Sequence, residues 1–133
     1  MKPRLTRQNS KAKIIGHGVD IIEVKRIKNA IVRYGQSFLE RVFTDKELKN
    51  AKEHNALYQH LAGRFAAKES VFKAFGKAKL NFRDVEVLND SKGKPYCSLL
   101  TYNQNKFKIH ISISHIKNYA VASAIITQET SDP

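Results

Sequence analysis

Cysteine is almost absent: Cys97 is the only one in 133 residues, which excludes an intrachain disulfide and a cysteine-rich zinc site. No apolar run approaches the roughly 20 residues a membrane-spanning helix needs, and no signal-peptide-like stretch is present. The expectation is a cytoplasmic protein without a membrane partner. A Walker loop, a GxGxxG fingerprint, an HExxH motif and a GxSxG elbow are all missing. His17, His54, His60 and His110 are scattered, and no His/Cys cluster has zinc spacing.

Acidic residues are also scarce, 12 against 24 Lys and Arg, for a formal charge of +12. Met1 to Lys13 has no acidic residue and five basic ones, Lys2, Arg4, Arg7, Lys11 and Lys13, and shows no periodicity. It reads as a disordered basic tail. The other 120 residues keep 19 basic against 12 acidic side chains. That surplus suits nucleic acid, an anionic cofactor or an acidic protein, and charge alone does not choose among them. With 41% apolar and 27% charged residues, the composition is that of one globular domain, placed at 14–127 with a short tail at 128–133.

Lys13 to Ile22 reads as a strand, with Ile15, Val19 and Ile21 alternating and Gly16 and Gly18 on the other face. Glycine inside a strand marks close approach by a backbone or a ligand. Asp20 lies on the glycine side, either as a cap for the following helix or as a ligand. Glu23 to Tyr34 is an amphipathic helix with Val24, Ile27, Ile31 and Tyr34 as its apolar stripe. Lys25, Arg26, Lys28, Asn29 and Arg33 make its outer face basic. Gly35 ends it, and Phe38 to Phe43 is a short helix. Thr44 with Glu47 forms a capping box before a helix to about Glu53. Asn55 caps a long helix to Gly76. Val85 and Val87, the turn cluster 89–93, and Lys94 to Leu99 read as a hairpin. Ser98 to Lys106 is either a helix or a loop. Lys108 to Ser114 and Tyr119 to Thr127 are strands. The order gives a single α+β domain, an antiparallel sheet packed against a long helix.

Within that helix, Leu61, Phe65, Phe72 and Phe75 lie close to one stripe. Glu69 projects only about 40° from Phe65 at 100° per residue. It is either half of an i,i+4 pair with Lys73 or a metal-binding carboxylate beside a cation that meets an anion. Asp20 and Glu69 are both misplaced for purely structural roles. Hard oxygen ligands in such small number suit Mg²⁺, which keeps waters and shares its shell with substrate phosphates. Lys73, Arg64 and the polar end of the SISH strand are available for phosphates.

GHGVDIIEVKRI, FLERVFTDKEL, LAGRFAAKESVFKAFG, VEVLNDSKGKP and HISISH, in that order, resemble the bacterial holo-acyl-carrier-protein synthases from about Ile14 to Ile126. The resemblance implies transfer of 4′-phosphopantetheine from coenzyme A to a serine of apo-acyl carrier protein, releasing 3′,5′-ADP, for fatty acid biosynthesis. It assigns Mg²⁺ to Asp20 and Glu69, phosphate contact to Lys73, and positions near the nucleotide phosphates to Arg64 and His115. Arg26, with Arg33 on the same basic face, is implied to dock an acidic helix of the carrier protein. A homotrimer with active sites between neighbouring subunits is implied as well. The base that takes the serine proton stays open among a metal-bound water, a carboxylate and His115. His17, the brief segment after Ser98 and the basic tail depart from the family pattern. A small nucleic-acid-binding domain is the competing reading, yet its aromatic residues fall in a core stripe rather than among basic ones.

Overall fold

The computed structural model describes residues 11–76, 80–101 and 106–130. In chain order these form β1 (Lys11–Glu23), α1 (Val24–Tyr34), α2 (Gln36–Val42), α3 (Asp45–Ala51) and α4 (Leu57–Phe75). A 3₁₀ turn (Phe82–Asp84), β2 (Val85–Asn89), β3 (Pro95–Leu99), β4 (Lys108–His115) and β5 (Tyr119–Thr130) follow. A three-stranded antiparallel sheet has the order β1-β5-β4, and β2 and β3 pair as a separate hairpin. The mixed α+β architecture with α4 packed on the sheet is the expected one.

Several boundaries differ from the sequence reading. Lys11 pairs with Thr130 and Lys13 with Gln128, so strand pairing claims the inner ends of both expected tails. Residues 1–10 and 131–133 of those tails, and 102–105 of the stretch left open between helix and loop, lie outside the described residues. The capping box is present, with Glu47 N donating to Thr44 Oγ1 at 3.2 Å and Thr44 N to Glu47 Oε1 at 2.8 Å. Its helix stops at Ala51. Ala56, not Asn55, occupies the N-cap of α4, with no side-chain bond. Tyr34 is 58% exposed, so the buried stripe of α1 ends one turn earlier than expected.

The face that α4 buries most deeply is made of small residues, not phenylalanines. Ala62, Ala66, Ala67, Ser70 and Val71 are fully buried, while Phe65, Phe72 and Phe75 are partly buried at the margin. Across from that face, Ala120, Ala122 and Ala124 alternate along β5. Gly16 and Gly18 of β1 complete the contact. A Cβ on Gly16 would overlap the Ala74 carbonyl oxygen; one on Gly18 would overlap that of Ser70 and come within 2.9 Å of Ala74 N. Both obstacles are backbone, so neither moves cheaply. Gly18→Ala is expected to cost about 1–3 kcal/mol of stability, as overpacking does, read as a lowered midpoint in urea. The opposite face of the sheet keeps Val19, Ile21, Val121 and Ile125 exposed.

Candidate active site

Strand alternation sends Gly16, Gly18 and Asp20 to one side, and the glycines let α4 settle directly over that side. Asp20 therefore ends up against the α4 turn that carries Glu69 and Lys73. Lys73 Nζ donates to Asp20 Oδ1 at 3.1 Å and to the Val19 carbonyl at 3.0 Å. The i,i+4 Glu69–Lys73 pair is thus not the arrangement found: Lys73 reaches across to the strand. The Glu69 carboxylate makes no hydrogen bond or ion pair with a described residue. Its carboxyl is pushed above the usual glutamate range by partial burial and then by the Asp20 charge, against a smaller opposing pull from Lys73. Two carboxylates share one edge, and one of them is uncompensated.

Asp20 and Glu69 line a cleft of about 370 Å³ together with Ile22, Arg26, Ile27, Phe38 and Phe65. Arg26 is exposed on α1 at the mouth of this cleft. Arg33 lies at the far end of α1, with its guanidinium 5.4 Å from the Tyr34 ring centre, and does not line the cleft.

Arg64 and His115 sit elsewhere. Arg64 is buried, donates to Asn89 Oδ1 at the end of β2, and keeps an Nε without a partner among the described residues. His115 contacts Gln59 Oε1 at 3.1 Å. Gln59 precedes Glu69 by ten residues, or about 15 Å along the helix axis. Beside them His60, stacked on His54 at 4.1 Å, is held neutral, its pKa lowered to about 3 by burial and by Arg64. Within one chain, His115 therefore lies far along α4 from the Asp20–Glu69–Lys73 group, and neither it nor the buried Arg64 lines the cleft that Asp20, Glu69 and Arg26 share. Among the described residues, no three His, Cys, Asp or Glu side chains converge as a ready-made metal cluster. Burial, then the Glu47 charge, pushes the Cys97 thiol up to about 12, away from the thiolate form that a nucleophile needs.

A buried ion pair escaped the sequence reading. Lys68 is fully buried and donates to Glu47 Oε1 at 2.6 Å, the Val42 carbonyl at 2.7 Å and the Phe82 carbonyl at 3.0 Å. Glu47 Oε2 accepts from Val87 N at 2.7 Å. The period that aligns Leu61, Phe65, Phe72 and Phe75 also puts Lys68 in the middle of that stripe. That was the available signal.

Residues 16–124 match the model of the 4′-phosphopantetheinyl transferase superfamily. The chain belongs to that superfamily. It is 46% identical to a holo-[acyl-carrier-protein] synthase of Clostridium tetani over 124 residues, covering 87% of this chain and 98% of that one. A Protochlamydia amoebophila protein of the same name is 49% identical over 117 residues, covering 84% and 96%. The crystal structure of the Bacillus anthracis holo-(acyl-carrier-protein) synthase in complex with CoA (3′,5′-ADP) superposes with a TM-score of 0.75 at 39% identity, covering 86% and 97%. That of the Helicobacter pylori synthase with coenzyme A gives 0.74 at 28%, covering 83% and 98%. Against this superfamily background the nucleic-acid reading loses its motive. Phe65 and Phe72 pack on Phe82 at 5.2 and 5.0 Å instead of forming a stacking platform among the basic residues.

Proposed function

We propose that this chain transfers 4′-phosphopantetheine from coenzyme A to a serine of apo-acyl carrier protein, releasing 3′,5′-ADP, as a cytoplasmic enzyme of fatty acid biosynthesis. The observation that carries the chemistry is the carboxylate pair, Asp20 with the uncompensated Glu69, beside the Lys73 ammonium. Such a pair fits Mg²⁺, which accepts few protein oxygens and completes its shell with water and pyrophosphate. Asp20 and Glu69 would hold the ion, which would supply charge neutralisation for the pyrophosphate in the reaction. Lys73, 55% exposed and bonded to Asp20 in this state, is free to turn to a phosphate oxygen once a cation takes over that carboxylate. The carrier serine oxygen gives its proton to a base and forms the new bond to the pantetheine-side phosphorus, while the bond from that phosphorus to the bridging oxygen breaks and 3′,5′-ADP leaves with the electron pair. The test is Mg²⁺-dependent addition of one phosphopantetheine to apo-acyl carrier protein, followed by mass spectrometry. An unmodified carrier under these conditions refutes the reading.

The exposed basic residues of α1 (Lys25, Arg26, Lys28 and Arg33) offer an acidic carrier helix a complementary surface that reaches the cleft mouth at Arg26. Arg26→Glu should raise KM for the carrier protein about tenfold through charge reversal, leaving KM for coenzyme A unchanged. Steady-state kinetics with each substrate varied decides it.

The position of His115, far along α4 from the carboxylates, and the absence of Arg64 from their cleft support a homotrimer whose sites each draw residues from neighbouring subunits. The exposed Val19, Ile21, Val121 and Ile125 supply an apolar sheet face for that assembly. Glu69→Gln and His115→Ala chains, each strongly impaired alone, should then regain part of the activity when their subunits are mixed and reassembled. No recovery in mixed trimers would place all groups in one chain.

A further inference from the structure

We propose that the buried Lys68–Glu47 pair is a positioning device that sets the rotation of α4 and thereby aims Glu69 at Asp20. The inference rests on the reading of those two carboxylates as the divalent-cation site.

The helix α4 is gripped on two sides. On one, the Ser70 and Ala74 backbone fills the space left by Gly18 and Gly16. On the other, about 200° from Ser70 at 100° per residue, the Lys68 ammonium spends all three N–H donors on acceptors from three elements. These are Val42 at the end of α2, Glu47 in α3, and Phe82 in the 3₁₀ turn. Glu47 is fixed in turn by Thr44 N and Val87 N, and Thr44 Oγ1 donates to Glu86 Oε2 at 2.7 Å. Glu69 lies between the two grips, about a quarter-turn from each.

A fully satisfied buried pair adds little stability over an apolar pair of the same volume, but separating its partners is costly, so motions that pull them apart are resisted. That distinction matters for Glu69. A carboxylate at the helix rim is about 6 Å from the axis, so a roll of about 20° displaces it by about 2 Å. Productive ligand geometry tolerates about 0.5 Å. The glycine contact fixes how closely α4 approaches β1 on one side, and the Lys68 donors, on the other, add the second constraint that a rotation needs. Lys68 touches neither carboxylate nor substrate, so its contribution is to placement.

The experiment compares wild type with Lys68→Met/Glu47→Gln, which removes both charges while Gln retains an acceptor for Thr44 N or Val87 N. The half-saturating Mg²⁺ concentration for holo-carrier formation should rise about tenfold, the low end for losing a group that orients a metal ligand. Activity should recover at saturating Mg²⁺, and KM for the carrier protein should not move. Mn²⁺ binding in the presence of 3′,5′-ADP, followed by electron paramagnetic resonance, should weaken in parallel. If the double variant does not fold, Lys68→Arg, which keeps the buried pair charged but cannot place its donors as the ammonium does, should shift both readouts the same way. A folded variant with unchanged Mg²⁺ half-saturation and Mn²⁺ affinity overturns the positioning role and leaves the carboxylate site standing. A wild type indifferent to divalent cations removes both.

Discussion

Glu69→Gln is expected to lose activity about 10²–10³-fold while melting at a higher temperature than the wild type in metal-free buffer at neutral pH. The loss follows from removing one of two charges that hold the cation, whose transition-state stabilisation is worth several kcal/mol. The gain follows from Glu69's environment. Partial burial, then the Asp20 charge, raise its pKa above the ordinary value of 4.5, so ionising it costs more in the folded chain than in the unfolded one. Below 4.5 the carboxyl is protonated in both states and Gln should change nothing. As pH rises from there through the raised value, the wild type loses stability that Gln keeps. The advantage should therefore appear with increasing pH and stay constant above the raised value. Excess Mg²⁺ should shrink it by stabilising only the wild type. Thermal melts from about pH 4 to 8, with and without Mg²⁺, separate this from ordinary loss of a contact. A glutamine variant less stable than wild type at neutral pH without metal would mean that Glu69 is a paired structural carboxylate.

Local patterns carried much of this fold. Period-two runs located β1, β4 and β5, and the Thr44–Glu47 spacing identified a helix start because a capping box is built within four residues. The glycine signal in β1 pointed to close approach, and the partner is the α4 backbone. Nonlocal geometry was less legible. Periodicity places Glu69 and Lys73 on neighbouring turns, yet cannot show that a strand 53 residues earlier offers Lys73 a better partner in Asp20. The apolar stripe was legible, but its phenylalanines are marginal because alanines on another face let the sheet come nearer. Arg64 and His115 could be named from their motifs, whereas their distance from the carboxylates depends on how α4 runs beneath the sheet. Glu47 was legible as a cap and not as the partner of Lys68, since one carboxylate serves both through different oxygen lone pairs.

Lys68→Met alone should destabilise the fold by about 3–5 kcal/mol, the usual cost of leaving a buried charge without its partner. Glu47 would remain fully enclosed, with two backbone N–H donors and no cation. The Val42 and Phe82 carbonyls would lose their ammonium donor, and the cation over the Phe43 ring, 5.5 Å from its centre, would go as well. Adding Glu47→Gln should recover much of the loss, because the double variant no longer buries an unpaired charge. Urea unfolding of the two single variants and the double one closes a double-mutant cycle. The expected result is a large favourable coupling between the two sites, with each single variant worse than the double. Additive effects would mean that water reaches the pair and that α4 is held by packing alone.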